Sequence, residues 1–371
     1  MFLRTVLNTA HRMVYPFLPI FARGLGVDIS TMSLIMTGRS LVGASSPFFA
    51  PIADRRGRKF GMSLGIVIFT LGVAWVAVYP TLWTLAIALI FGLVGKFMFD
   101  LSMQAYFGDR IPYEKRGTAL AVTEMAWSLA FIVGIPVMGY LIGRFGWSAP
   151  FPVFTVLGLG IFFVIRRIIP REDSHHESTS NSGDGYRAVF TSVPAMAGIS
   201  IALWASAGNE LVNVIFGVWL EDSFGLRIAA LAGASAVIGI SELSGEGLVA
   251  LTTDRLGKPL ALAIGLISNA LAAVLLPFIG RTHAGALIGL FLFYITFEYI
   301  IVSHIPLMTG LVPSARATML SVNVTGHSLG RALGAFLAAI IYQRFGFGFV
   351  AAATVIFNLA ALLALRRMQK G

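Results

Sequence analysis

Twelve long apolar runs decide what this chain can fold into. They fall near 3–22, 30–53, 61–79, 82–107, 117–142, 149–169, 188–218, 227–251, 259–279, 284–308, 317–342 and 347–366. Each is long enough for a helix to cross a hydrocarbon core, which takes about 20 residues. Of the 371 residues 57% are hydrophobic and only 12% charged, against about 25% charged in a soluble domain. A water-soluble globule is therefore excluded, and so is a disordered chain, which needs low hydrophobicity. The chain has no cysteine, which excludes a disulfide scaffold. Backbone groups in lipid must be satisfied within the protein, so runs of this length without strict alternation are helices and not barrel strands.

The formal charge of +10 would suggest nucleic acid in a soluble protein, but its distribution says otherwise. Alternate turns (54–60, 108–116, 166–187, 254–258 and 313–316) and the C-terminal tail together hold 17 Lys/Arg, while the loops on the opposite side hold five: Arg23, Arg144, Arg227, Arg281 and Arg344. The positive-inside rule then predicts a multi-pass protein of the cytoplasmic (inner) membrane with both termini cytoplasmic. The first run contains Asn8, His11 and Arg12 and makes a poor cleavable signal peptide, so it is expected to stay as the first helix. The stretch 170–187, rich in Ser, Gly, Asp and His, reads as a cytoplasmic linker. Expected domains are thus an N-terminal six-helix bundle at 1–169 and a C-terminal one at 188–371.

A shift of 200 residues aligns Ala50, Asp54, Arg55 and Gly57 with Ala250, Asp254, Arg255 and Gly257. The same register matches Arg116 and Thr118 to Arg316 and Thr318, and Arg144-Phe145-Gly146 to Arg344-Phe345-Gly346. Six crossings per half return the chain to the same side, so the halves are parallel repeats. The segment Ala50-Pro51-Ile52-Ala53-Asp54-Arg55-Arg56-Gly57-Arg58-Lys59 resembles the G-x-x-x-D-R-x-G-R-R/K signature of the major facilitator superfamily, and Ala250 to Lys258 resembles its second copy, with Ala in place of the leading Gly in both. Asp109-Arg110-Ile111-Pro112-Tyr113-Glu114-Lys115-Arg116-Gly117 is similar to that family's D-x-x-P-x-x-x-R-G loop. The resemblance implies the family's fold, an all-α membrane protein of twelve transmembrane helices in two pseudo-symmetric six-helix bundles. It also implies a conformational latch at Asp54, Arg55, Gly57, Arg58, Asp109, Arg116, Asp254 and Arg255. Arginines that fork onto carboxylates beside helix starts can serve such a latch physically.

An ionisable group at the bilayer centre costs roughly 2.5–3.5 kcal/mol on insertion scales, so it should face a partner or a water-filled passage. The spans of the first half keep Arg12, Arg39, Lys96, Asp100 and Glu124, and those of the second keep Glu210, Glu242, Glu246, Glu298 and Arg331. All of their counterparts 200 residues away are uncharged. Residues shared by both halves build the scaffold, whereas expensive residues present in one half only point to the transported species. Arg12 and Arg39 are expected to face Glu210 or Glu242 across a central cavity. Lys96 and Asp100, four apart, can pair on one helix face. Arg12, Arg39, Lys96, Trp127, Trp204, Glu210, His327 and Arg331 are the candidate substrate-binding residues, with Asn209, Asn213 and Asn323 on the same path. Asp100, Glu124, Glu242 and Glu298 are the candidate proton-coupling carboxylates, since paired or desolvated carboxyls hold protons more tightly. Gly134-Ile135-Pro136-Val137-Met138-Gly139 faintly resembles the G-P-x-x-G motif of the superfamily's antiporters, interrupted by Ile135.

The expected function is secondary active transport of a small amphipathic or charged organic solute by alternating access, as proton-coupled efflux. The rivals are uptake or facilitated passage of an organic anion, flipping of a lysolipid-like amphiphile, and, from another class, a membrane receptor or a lipid-modifying enzyme. No P-loop sequence is present, which removes ATP as the expected energy source. No cofactor and no metal are expected. The expected partners are a small-molecule substrate, protons and membrane lipids, with no nucleic acid, and the protein is expected to act as a monomer.

Overall fold

The computed structural model describes residues 1–48, 57–112, 122–170 and 182–370, and these are helical with no strand among them. In chain order the helices are α1 (Phe2–Arg12), α2 (Val14–Leu25), α3 (Ile29–Gly43), α4 (Arg58–Val78), α5 (Leu82–Arg110), α6 (Val122–Phe145), α7 (Pro150–Ile168), α8 (Ser182–Thr191), α9 (Val193–Phe224), α10 (Ile228–Leu256), α11 (Lys258–Ile279), α12 (His283–Leu311), α13 (Arg316–Phe345) and α14 (Phe347–Lys370). Ten of them, α4 to α7 and α9 to α14, are long and apolar enough to cross a membrane.

The first two expected crossings take another form. The run 3–22 is divided at Met13, where α1 ends and α2 begins. Pro16 explains the break, because it offers no N–H to the Arg12 carbonyl and its ring crowds that carbonyl. The second run continues beyond α3 into residues 49–56, outside the described residues. Of the expected linker, residues 182–187 are already helical, in α8.

Contacts divide the chain into two compact units. The first comprises Met1–Val27, Ser45–Thr179 and Ile228–Ala236, and the second Asp28–Ala44, Ser180–Arg227 and Val237–Gly371. By contact, then, α3 groups with the second unit although the expected boundary assigns it to the first. Polar stitches explain this. Ser33 donates to the Ala335 carbonyl, Thr325 to the Ala44 carbonyl at 3.1 Å, and Ser30 to Gln343 at 2.9 Å, so α3 runs antiparallel along α13. Asp28 caps the start of α3. The Thr31 hydroxyl and, after it, the Thr31 N–H hold the Asp28 carboxyl below its ordinary range.

The repeat extends into the backbone. All the described positive-φ residues are glycines and fall into three pairs: Gly26 and Gly225, Gly57 and Gly257, Gly146 and Gly346. The last two pairs lie in the register read from sequence, and the first is one residue off it. Thr81 and Thr282 likewise cap the starts of α5 and α12 with their hydroxyls.

Close approach of small residues sets the packing within each unit. In the first, α4 crosses α5 at Gly65 and Gly95, where a Cβ on Gly65 would meet the Gly95 carbonyl oxygen at 2.5 Å. In the second, Gly330 and Gly334 of α13 lie on the carbonyls of Leu203 and Ala207 of α9. Gly95→Val should therefore lower stability by about 1–3 kcal/mol through overpacking. Gly92→Val, one turn away with open space over its Cα, should change it little. Thermal unfolding of the two variants in detergent checks the contrast.

Candidate functional site: buried charge in the helical units

In the first unit three helices bring their expensive residues together. Arg4, Asn8 and Arg12 recur every four residues and so share one face of α1. Lys96 and Asp100 lie on α5, and Glu124, Trp127 and Phe131 on α6. The Arg4 Nε donates to Asp100 Oδ1 at 3.0 Å, while Lys96 holds Oδ2 of the same carboxylate. Arg4 Nη1 also lies 2.6 Å from Glu124 Oε1, a close ion pair that lacks hydrogen-bond alignment. Arg4, Lys96 and Asp100 are buried, whereas the Glu124 side chain is 47% exposed. The cluster is thus a carboxylate gripped by two cations, with a second carboxylate at its open edge.

Arg12 is held differently. Its Nη1 donates to the Trp127 carbonyl at 3.0 Å, and its guanidinium carbon lies 4.1 Å from the Trp127 ring centroid and 3.5 Å from that of Phe131. Such cation–π contacts strengthen as water is excluded. Residues 130–134 form a π-helical turn in which the Ile135 N–H reaches the Ala130 carbonyl. Pro136 accounts for the wide turn, because it denies an N–H to the Ile132 carbonyl and needs room beside it. The interrupted motif read at Gly134 to Gly139 is therefore a real distortion of α6. It packs on α1, with Thr9 lying directly over Gly134.

In the second unit a polar seam runs between α9 and α13. Ser206, Asn209, Glu210 and Asn213 line α9, and Asn323, His327 and Arg331 recur every four residues on α13. Ser206 Oγ lies 2.7 Å from His327 Nδ1. Asn213 donates to Glu210 at 3.3 Å and accepts from the Tyr294 hydroxyl at 2.9 Å. Glu210 is fully buried. Further polar atoms are buried without a partner: the Asn209 amide nitrogen, the Asn323 carbonyl oxygen and Arg331 Nε, and in the first unit both amide atoms of Asn8. An unpaired buried polar group costs about 1–3 kcal/mol, which is hard to reconcile with these seams being inert packing.

Other candidates are dispersed. Glu298 of α12 packs over Gly245 of α10, one turn from Glu242, and both carboxylates are buried. Arg39 is buried in α3. Trp204 stacks on Phe357 with ring centroids 5.6 Å apart and lies on a cleft between α9 and α14. Among the latch residues, Arg58 Nε meets Asp109 Oδ2 at 3.1 Å, tying the start of α4 to the end of α5. Lys59 caps the end of α7 through the Arg166 carbonyl, at 2.7 Å, and the Ile169 carbonyl. Gly57 has the positive φ that its turn needs, and Arg255 is exposed at the end of α10. Asp54, Arg55 and Arg116 lie outside the described residues, as does the Asp254 side chain.

Sequence reasoning missed two residues. Arg4 falls inside the first apolar run but is not among the charged residues expected to act, although its spacing with Asn8 and Arg12 is visible in the sequence. His304 sits within an apolar run, and the criterion that singled out Glu298 would have found it. Its Nε2 donates to the Gly198 carbonyl at 3.1 Å, and its ring lies edge-on to His327, 5.9 Å between centroids.

Apolar spans that enclose gripped charges define a multi-pass helical membrane protein. The profile of the Major Facilitator Superfamily matches residues 1–315, and the chain belongs to that family. Among its relatives, the Bacillus subtilis "Uncharacterized MFS-type transporter YwfA" is 24% identical over 96% of this chain and 89% of that protein. The Bacillus subtilis Multidrug resistance protein 2 is 23% identical over 89% and 84%, and Multidrug resistance protein MdtG of Salmonella paratyphi C is 24% identical over 95% and 90%. A bacterial homologue of the human lysosomal transporter Spinster, in an inward-facing and unoccupied conformation, has the same fold, with a TM-score of 0.76 and 16% identity over 100% of this chain and 96% of that one. So has a POT family transporter in complex with a thioalcohol-conjugated peptide, with a TM-score of 0.78 and 16% identity over 99% and 94%.

The two arms of the Arg4 cluster should differ in strength. A double-mutant cycle with Arg4→Gln and Asp100→Asn should return a coupling of about 1.5–3 kcal/mol, as for buried hydrogen bonds to charge. The cycle with Glu124→Gln should return less than about 1 kcal/mol, because that carboxylate is half in solvent. Unfolding free energies in detergent measure both.

Proposed function

We propose that this transporter exports a small amphipathic or charged organic solute in exchange for protons, working by alternating access between six-helix halves at 1–169 and 188–371. The observation that carries the reading is the Arg4–Asp100–Lys96 cluster with Glu124 at its edge. Its cations are held by carboxylates among the described residues, so two competitors can open it. A proton on a carboxylate removes the charge that grips the cation, and an anionic group on a solute replaces it. Either event releases Arg4 from α5 or α6, which couples occupancy to the packing of α1. The Trp127 and Phe131 rings offer the apolar half of such a solute a surface beside Arg12. Glu242 and Glu298, which flank Gly245, are the second proton-binding pair in this reading.

Export, rather than import, is favoured by the names of two relatives, the multidrug resistance proteins of Bacillus subtilis and Salmonella paratyphi C. The distribution of Lys and Arg supports an inner-membrane protein with both termini cytoplasmic. Arg58 and Asp109, together with Asp54, Arg55, Arg116, Asp254 and Arg255, serve as the latch that steadies one conformation. The protein works as a monomer, with no cofactor.

A second reading, facilitated uptake of an organic anion, is favoured by the cation Arg12, which rests on two aromatic rings and a carbonyl. Proteoliposomes separate the two. With a pH gradient imposed, export predicts accumulation of an amphipathic dye on the acidic side, collapse of that gradient on dye addition, and loss of at least about tenfold in rate for Asp100→Asn, the scale of one lost charge-assisted contact. Anion flux that ignores the pH gradient and survives Asp100→Asn would instead establish facilitated uptake.

A further inference from the structure

The second unit carries a cleft that the transport reading leaves unused. It opens between the junction of α8 with α9 and the last turns of α14, holds about 410 Å³, and is lined by Phe190, Met196, Trp204, Leu363 and Arg367 among others. This volume falls within the usual range of specific ligand pockets, roughly 300–1,000 Å³. Phe190, Met196 and Leu363 are exposed apolar side chains, so the cleft needs an apolar occupant. Arg367 is the one charged residue that lines it among the described residues, three residues before the end of α14.

The dimensions are those of one membrane leaflet. From Val193 to Trp204 the lining of α9 advances about 16 Å along the helix axis, at 1.5 Å per residue, close to half of the roughly 30 Å hydrocarbon core. The stack of Trp204 on Phe357 closes the inner end. The cationic end lies beside the Tyr186–Phe190 ring stack, with 6.4 Å between centroids, where aromatic side chains anchor to the interface. It is also on the side that the Lys/Arg count assigns to the cytoplasm. A slot with an open apolar wall, a closed inner end and a lone cation at headgroup depth complements an acyl chain joined to an anion.

We propose that this cleft is a binding site for a single anionic phospholipid of the cytoplasmic leaflet, with its phosphate on Arg367 and an acyl chain along Met196, Trp204 and Leu363. The lipid bridges α8, α9 and α14 and fills the gap left where the chain turns at Ser192 between α8 and α9.

Native mass spectrometry of the delipidated full chain tests this with phosphatidylglycerol and phosphatidylcholine of identical acyl chains. Wild type should retain one phosphatidylglycerol with about fivefold preference, the worth of one cation at an anionic headgroup. Arg367→Gln should remove that preference, whereas Arg366→Gln, which does not line the cleft, should keep it. Leu363→Trp should reduce retention of both lipids, and a wild-type unfolding midpoint for each variant keeps a folding defect apart from a lost site. Equal retention of the two lipids by wild type would overturn the proposal. So would an undiminished preference in Arg367→Gln, or displacement of the lipid by millimolar inorganic phosphate alone.

Discussion

The structure depends on one electrostatic constraint: a charge inside a membrane-spanning bundle must be gripped by another charge, by a ring or by water. Asp100 satisfies it with two cations, Arg4 and Lys96, and Arg12 with two aromatic faces and a carbonyl. Neither solution is the cheapest way to fill that space. Replacing a buried ion pair by apolar residues of similar volume is often neutral or stabilising, so stability alone gives little reason to keep these residues. Transport does give one, because a grip made of charge can be exchanged for a proton or a solute, whereas an apolar contact cannot.

The scaffold around the charges is a duplicated one. Paired glycines at Gly57 and Gly257 and at Gly146 and Gly346 put the same turn at matching places in each repeat, and the hydroxyls of Thr81 and Thr282 start matching helices. The charged residues break that symmetry. The same backbone carries Asp100 in one repeat and Ile300 in the other, Arg331 in one and Phe131 in the other. Duplication thus fixes where the helices go, and its violations mark where the chemistry is. In the first unit the violations on α1, α5 and α6 converge, and in the second Glu210 and Arg331 lie on α9 and α13 while Glu242 and Glu298 lie on α10 and α12.

Much of this was legible before any coordinates. Run length and the 200-residue register predict the helical bundle, its repeat and ten of its crossings to within a few residues, because hydrophobic length and turn glycines act locally. The Lys96–Asp100 pair was legible for the same reason, being one turn apart on one helix. What a linear reading cannot supply is which residues of different helices meet. Arg4 becomes central only because α1 brings it beside α5, ninety-six positions away. Trp204 looks like a cavity residue in the sequence, yet packing turns it onto Phe357 and the lateral cleft. The break at Met13 is a matter of competing rules, since apolar length says one helix while Pro16 forbids its hydrogen bond.

The claim on which the rest stands is that water reaches the unpaired polar atoms of Asn8 in the first unit and of Asn209 and Asn323 in the second, and the absence of native cysteine makes it directly measurable. Single cysteines at these positions, and at Leu71 as a lipid-facing control, can be challenged with a membrane-impermeant maleimide from each side of sealed vesicles. The account predicts labelling of Asn8→Cys, Asn209→Cys and Asn323→Cys from both sides, and none of Leu71→Cys. Three seam positions as unreactive as the control, from either side, would show a sealed core and contradict it.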